Sequence, residues 1–304
     1  MSAALFWAVS LAMFRGPIGR HGARTINLAK CLLAAVLQGL TVLALGQMDG
    51  LLIAPARSIW LIAVSGLVGL TLGDTALFAS VARIGVHRAL LLQTLAPVFT
   101  AIIAALWLGE RTTGLQAVGA VLILSGVALV VAPRREVPLS MPADSSGGTA
   151  PVALNPGPRS WALAGSLLGV VAAFGQGCGL VLAKVGMEQM PVLPASFLRL
   201  TTAALGLAIV GLAAGRLASL GRLARTRHAY TRVVPATLLG TYLALFLMMA
   251  GIALAPASIA AVLLSMSPVF SLVLETVVDR RPLTVRGVGG TFLALAGVAV
   301  LTGV

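Results

Sequence analysis

Apolar residues run through this chain in long blocks, and polar residues collect in the gaps between them. The blocks cover residues 3–18, 25–45, 59–80, 88–108 and 115–131, and after a polar stretch 161–183, 194–213, 233–254, 258–278 and 285–301. Most are about 17–23 residues long, the length a helix needs to cross the hydrocarbon core of a bilayer. A membrane barrel would instead be written in strands of roughly 10 alternating residues. The pattern predicts an all-α membrane protein with ten transmembrane helices. The first block is short and holds Arg15. A secretory signal would carry its basic residues before the apolar run, so this block is expected to be a retained span.

The second half of the pattern repeats the first. A shift of 171 positions carries Gly69–Val131 onto Gly240–Thr302, so that Pro97-Val98-Phe99 meets Pro268-Val269-Phe270, Gly119 meets Gly290, and Gly126-Val127-Ala128 meets Gly297-Val298-Ala299. A shift of 169 pairs Trp7 with Gln176, Arg15 with Lys184 and Lys30 with Arg199, which makes span 1 the mate of span 6. A fixed internal period decides architecture before any single helix does. The repeats are 1–132 and 160–304, with 133–159, rich in Pro, Ser, Gly and Ala, as the linker between them. Five spans per repeat is an odd number, so the second half enters the membrane the other way up. Two inverted five-helix repeats place a substrate near the midplane between the halves.

Composition agrees with the pattern. The 304 residues are 59% hydrophobic and only 10% charged, with a mean hydropathy of +1.04. Soluble domains are about 25% charged, so the solvent for this surface is lipid. The net charge of +13 would suggest nucleic acid in a soluble protein. Here the basic residues sit between apolar blocks, where membrane topology and lipid headgroups account for them, and no nucleic-acid partner is expected. Cys31 and Cys178 lie within apolar blocks and read as small packing residues.

Motifs for enzyme chemistry do not emerge. Neither Lys30 nor Lys184 sits in a phosphate-cradling G-x-x-x-x-G-K-[ST] loop. His21, His87 and His228 fall far apart at expected loop ends, read as surface residues, and make no metal set. No cofactor is expected. Gly69/Gly73 and Gly165/Gly169 have the spacing of close helix packing.

Ionisable residues inside spans carry the functional signal. A charge at the bilayer centre costs about 2.5–3.5 kcal/mol on insertion scales, so it is expected to be paired and functional. Lys30 in span 2 and Asp74 in span 3 fall at matching depths on antiparallel helices, about 8–9 Å below one surface at 1.5 Å per residue. They can form an ion pair, either as a structural bridge or as part of a substrate or proton pathway. Asp74 has no acidic mate, because its repeat partner is Leu245. Arg199 reaches the membrane from the opposite face, and Gln176 is a candidate for the centre. Pro97 and Pro268 are expected to kink spans 4 and 9, either as fixed bends or as hinges. Beside them, Gln93, Thr94, Ser265 and Ser267 are candidates for cavity lining, although Ser and Thr also bond their own backbone.

The stretch from Gly73-Asp74-Thr75 through Pro97-Val98-Phe99 and Leu108-Gly109-Glu110-Arg111 to Gly119 and Gly126 resembles the EamA-type module of the drug/metabolite transporter superfamily. The second copy is similar but carries Arg280-Arg281-Pro282 at the Gly-Glu-Arg turn. The resemblance implies a ten-helix secondary carrier, in many cases an exporter of metabolites, amino acids or toxic compounds, in the cytoplasmic (inner) membrane. Its implied partners are a small-molecule substrate, the lipid bilayer and a proton as candidate coupling ion; oligomeric state is left open. An importer of the same fold is the nearest alternative, and an intramembrane enzyme or a structural membrane protein the more distant ones. Orientation has two opposed indications. The resemblance implies that both termini are cytoplasmic. The loops after spans 1, 3, 5, 7 and 9 hold most of the basic residues, among them Arg216, Arg222, Arg225, Arg227 and Arg232, whereas the loops after spans 2, 4, 6 and 8 hold Arg57, Arg111 and Lys184. The positive-inside rule makes the richer side cytoplasmic and the termini external.

Overall fold

A computed structural model of the chain describes residues 2–108, 114–131, 159–215, 218–227, 229–254, 267–277 and 284–302. Among the described residues the regular structure is helical, with no strand. The principal helices are α1 (Ser2–His21), α2 (Ala23–Ala44), α3 (Ala56–Ile84), α4 (Val86–Gln93 continued by Ala96–Leu108), α5 (Gly114–Val131), α6 (Arg159–Gly186), α7 (Val192–Ala213), α8 (Ala229–Gly251), α9 (Ser267–Val277) and α10 (Val285–Thr302). Seven of the described helices, α1–α4 and α6–α8, are long and apolar enough to cross a bilayer, and apolar stretches of α5 and α10 are shorter. Span 9 was expected over 258–278, of which 267–277 is described. The linker from 133 to 158, the Gly109-Glu110-Arg111 turn and Arg280-Arg281-Pro282 lie outside the described residues.

Helix boundaries follow local chemistry. Gly46 ends α2 with φ 63°, and Gly215 ends α7 with φ 62°. At Gly46 the amide bonds Leu43 O at 3.1 Å and Gln47 N bonds Val42 O at 2.9 Å, a left-handed cap that satisfies the last carbonyls. The two glycines are repeat mates under the 169-residue shift. Helix α6 runs three residues past its expected end, and Lys184 therefore lies in its last turn and not in a loop.

Two helices are locally unwound into π geometry, α3 over Gly66–Gly73 and α8 over Thr237–Leu243. A shift of 171 superposes their first residues. Such insertions widen the turn and are frequent at functional sites. Helix α4 is interrupted at Thr94-Leu95, where Thr94 N bonds Leu91 O and Leu95 N bonds Leu92 O, both at 3.1 Å. Pro97 supplies the cause: it has no amide to bond residue 93, and its ring crowds that carbonyl.

The packing is reciprocal between repeat mates. Ser10 on α1 donates to Ala236 O on α8, and Ser65 on α3 donates to Gly179 O on α6, each at 2.7 Å. Ser10 is the mate of Gly179 and Ser65 the mate of Ala236. Helices α5 and α10 cross through Gly126 and Gly297. A Cβ on Gly297 would lie 2.6 Å from Ile123 N and 2.7 Å from Gly119 O, and a Cβ on Gly126 would meet the mates of those atoms, on Ala294 and Gly290. Small residues let helix backbones approach this closely where lipid offers no hydrophobic drive for association. The outward faces are apolar. Val36, Leu40 and Leu43 on α2 and their mates Leu205, Ile209 and Leu212 on α7 are all exposed, as a lipid-facing stripe requires.

Candidate functional site

The π segment of α3 ends at Asp74, which is fully buried. Lys30 on α2 donates from Nζ to Asp74 Oδ2, and neither side chain has any solvent exposure. From α6, Gln176 Nε2 donates to the other carboxylate oxygen, Oδ1, at 2.6 Å. The ammonium also lies 5.5 Å from the Trp7 ring centroid and 5.2 Å from that of Phe78. A cation beside two aromatic faces gains electrostatic stabilisation that lipid alone cannot give. Phe14 packs tilted on Phe78, with centroids 5.4 Å apart, and closes the apolar side of the site.

Asn27 lies one turn before Lys30 on the same face of α2. Its Nδ2 donates to Leu70 O and to Thr75 Oγ1, both at 2.8 Å. Leu70 belongs to the π segment, so Asn27 satisfies a carbonyl of the widened turn. Asn27 and Thr75 are parts of the site that the sequence reading missed. The signal for Asn27 was its position, three residues before an intramembrane lysine.

The structure joins Lys30, Asp74 and Gln176 by hydrogen bonds; of the other candidates, Arg199 is within electrostatic reach of Asp74 without bonding it. Thr94 Oγ1 bonds Leu91 O at 2.7 Å, the local backbone role open to any Thr in a helix. Gln93 Nε2 is buried with no partner among the described residues. Ser267 is buried at the first residue of α9, with Pro268 next to it, and Ser265 lies outside the described residues. Arg199 is fully buried on α7, with Nη1 3.4 Å from Met249 Sδ. His87 departs from its expected surface position. It is 7% exposed, with Nδ1 3.3 Å from Ser271 Oγ. The turn at Gly85 starts α4 at Val86, two residues before the expected start at 88, which carries His87 in the first turn against α9. Among the described residues, no three His, Cys, Asp or Glu side chains gather where a metal ion could be held.

The arrangement can perform one kind of chemistry without any bond being made. A carboxylate held by a lysine and an amide from separate helices can exchange either partner for a proton or a ligand group, and each exchange changes which helices are tied together. Charges at membrane depth are retained where such exchanges matter.

Comparison with known proteins bears on the fold and the family. A crystal structure of a protein 20% identical in sequence superposes with a TM-score of 0.68, covering 98% of this chain and 93% of its own; at that identity the likeness is one of fold. A probable terminal-alkyne amino-acid exporter from Streptantibioticus cattleyicolor is 28% identical over 124 residues, which are 41% of this chain and 40% of that protein's length. The chain thus spans about two-fifths of that curated relative. The description of the EamA-like transporter family matches residues 1–132 and 163–303, nearly the whole chain. This protein, a multi-pass membrane protein, belongs to the EamA-like transporter family.

Proposed function

We propose that this transporter is a secondary active exporter of a small metabolite, amino acid or drug-like compound across the cytoplasmic membrane, and that Lys30, Asp74 and Gln176 form its exchange site. Residues 1–132 and 160–304 act as two inverted repeats about a linker at 133–159. The observation that carries the reading is the sharing of Asp74. Its carboxylate is held by Lys30 from the first half and by Gln176 from the second, so protonation or substrate binding at Asp74 loosens a tie between the halves. Alternating access needs such a tie, because one repeat must rock against the other around a fixed site. The neighbouring π turn and the break in α4 give the surrounding helices places to bend. The export direction draws support from the Streptantibioticus relative, which is described as an exporter.

The test is uptake by everted vesicles from cells expressing the chain, supplied with labelled amino acids, nucleosides, polyamines and cationic dyes. The reading predicts uptake of at least one class, driven by an imposed inside-acid gradient and abolished by a protonophore. Uptake in right-side-out vesicles alone would make the protein an importer.

A further inference from the structure

The two halves carry the same cationic position with different surroundings. In the first half Lys30 is fully buried and paired with Asp74, and Asn27, one turn earlier, bonds Leu70 O and Thr75. Under the repeat, Lys30 becomes Arg199, Asn27 becomes Ser196 and Asp74 becomes Leu245. The second set keeps the cation and the polar residue on one helix face but has lost the acid. Leu245 is buried and apolar.

The consequence is visible at Arg199. Its side chain has no solvent exposure, and its Nε and Nη2 have no hydrogen-bond partner among the described residues. Its Nη1 meets only the thioether of Met249, a weak acceptor. Ser196 Oγ is likewise buried without a partner. Gly69 and Gly179 present bare backbone to the guanidinium; a Cβ on them would stand 2.7 and 3.2 Å from Nη2. Among the described residues, the fully buried charged side chains are Lys30, Asp74 and Arg199, two cations against one carboxylate. A buried guanidinium with unused donors is costly unless an anion joins it.

We infer that Arg199 is the docking group for a carboxylate on the transported molecule, which supplies from outside the acid that the second repeat lacks. The inference rests on the transporter reading above. A carboxylate suits the guanidinium because Nε and Nη2 lie on one edge of the fork and match its two oxygens in a bidentate pair. Ser196, one turn away, can add a third donor. Access requires α7 to part from α3 and α6, and the glycines at that contact leave few side chains to disengage.

The experiment is thermal unfolding of the purified full chain in detergent, with and without three probes. These are a mixture of the twenty proteinogenic amino acids, a mixture of lactate, pyruvate and succinate, and, as probes that carry no carboxylate, the α-carboxamides of the amino acids other than Asp and Glu. Expected is a rise of several degrees in the midpoint with a carboxylate mixture and none with the amides, with loss of the rise in Arg199→Met. The mixture that acts distinguishes an amino acid from a plain organic acid. Arg199→Met without ligand should melt no lower than the wild type, because it removes a buried charge that Asp74 reaches only at a distance and no anion bonds directly. A fall of several degrees in unliganded Arg199→Met makes Arg199 a structural residue and overturns the inference. So does an undiminished rise in that variant, or no rise with either carboxylate mixture. Transport of a cationic or neutral compound by reconstituted wild-type protein would, in those cases, leave the transporter reading standing.

Discussion

Gln176 donates to one oxygen of Asp74 at 2.6 Å while Lys30 holds the other, so a residue from the second half of the chain closes an ion pair made within the first. Each half alone would leave a buried polar group unmet. The cost of an unpartnered charge is far larger than the net gain from a satisfied pair, which makes the triad sensitive to single substitutions.

Asp74→Leu leaves Lys30 buried and unpaired and should cost about 3–5 kcal/mol, seen as a lower unfolding midpoint. The double variant Lys30→Met/Asp74→Leu should recover most of that loss while remaining inactive in transport. Equal destabilisation by the single and double variants would mean that the pair contributes through packing rather than charge.

The crossing of α5 and α10 should respond symmetrically. Gly126→Leu and Gly297→Leu each force a side chain into the backbone of the facing helix, so each should lower the unfolding midpoint by a comparable amount. The overpacking cost is about 1–3 kcal/mol or more. A large effect at one glycine and none at the other would break the two-fold relation at this contact.

Pro97→Ala should restore the amide that α4 lacks and straighten it through Thr94-Leu95. Expression should hold and turnover should slow, if bending at this point accompanies the transport cycle. Transport at the wild-type rate would limit Pro97 to packing.

Much of this was legible in the sequence because lipid imposes simple rules. The spacing of Lys30 and Asp74 on antiparallel spans predicted their contact, since a charge at membrane depth needs a partner. The glycines at 119, 126, 290 and 297 were visible as repeat anchors, although only the structure shows that they face one another. The π turns were not legible. They lie where α3 packs against α6 and α8 against α1, and Gly66–Gly73 reads in sequence as ordinary apolar helix. His87 faces inward because α4 starts two residues earlier than the apolar block does. Asn27 sits among apolar neighbours in the sequence, and its role depends on a carbonyl of the π segment, that of Leu70.

Orientation is open to direct test. Thr25, in the first turn of α2, and Ser219, in the connection after α7, approach to 3.0 Å between hydroxyl oxygens, so the start of α2 and the α7–α8 connection share one side. That side holds Arg20, Arg24, Arg222, Arg225, Arg227 and Arg232, and the positive-inside rule makes it cytoplasmic. With Cys31 and Cys178 replaced by Ala, a cysteine at Gly221 should be shielded from an impermeant maleimide in intact cells. Labelling there would mean that the opposite orientation, with cytoplasmic termini, prevails over the charge bias.

Asp74→Asn tests the central claim most directly, because it removes the charge while nearly preserving shape. Purified wild-type and Asp74→Asn protein would be reconstituted into liposomes loaded with the compound class taken up by everted vesicles, and counterflow of the labelled compound measured. The account predicts transient accumulation by the wild type and at least a tenfold loss in Asp74→Asn, with helical content unchanged by circular dichroism. Accumulation by Asp74→Asn at the wild-type rate would contradict it and remove the shared carboxylate from the transport cycle.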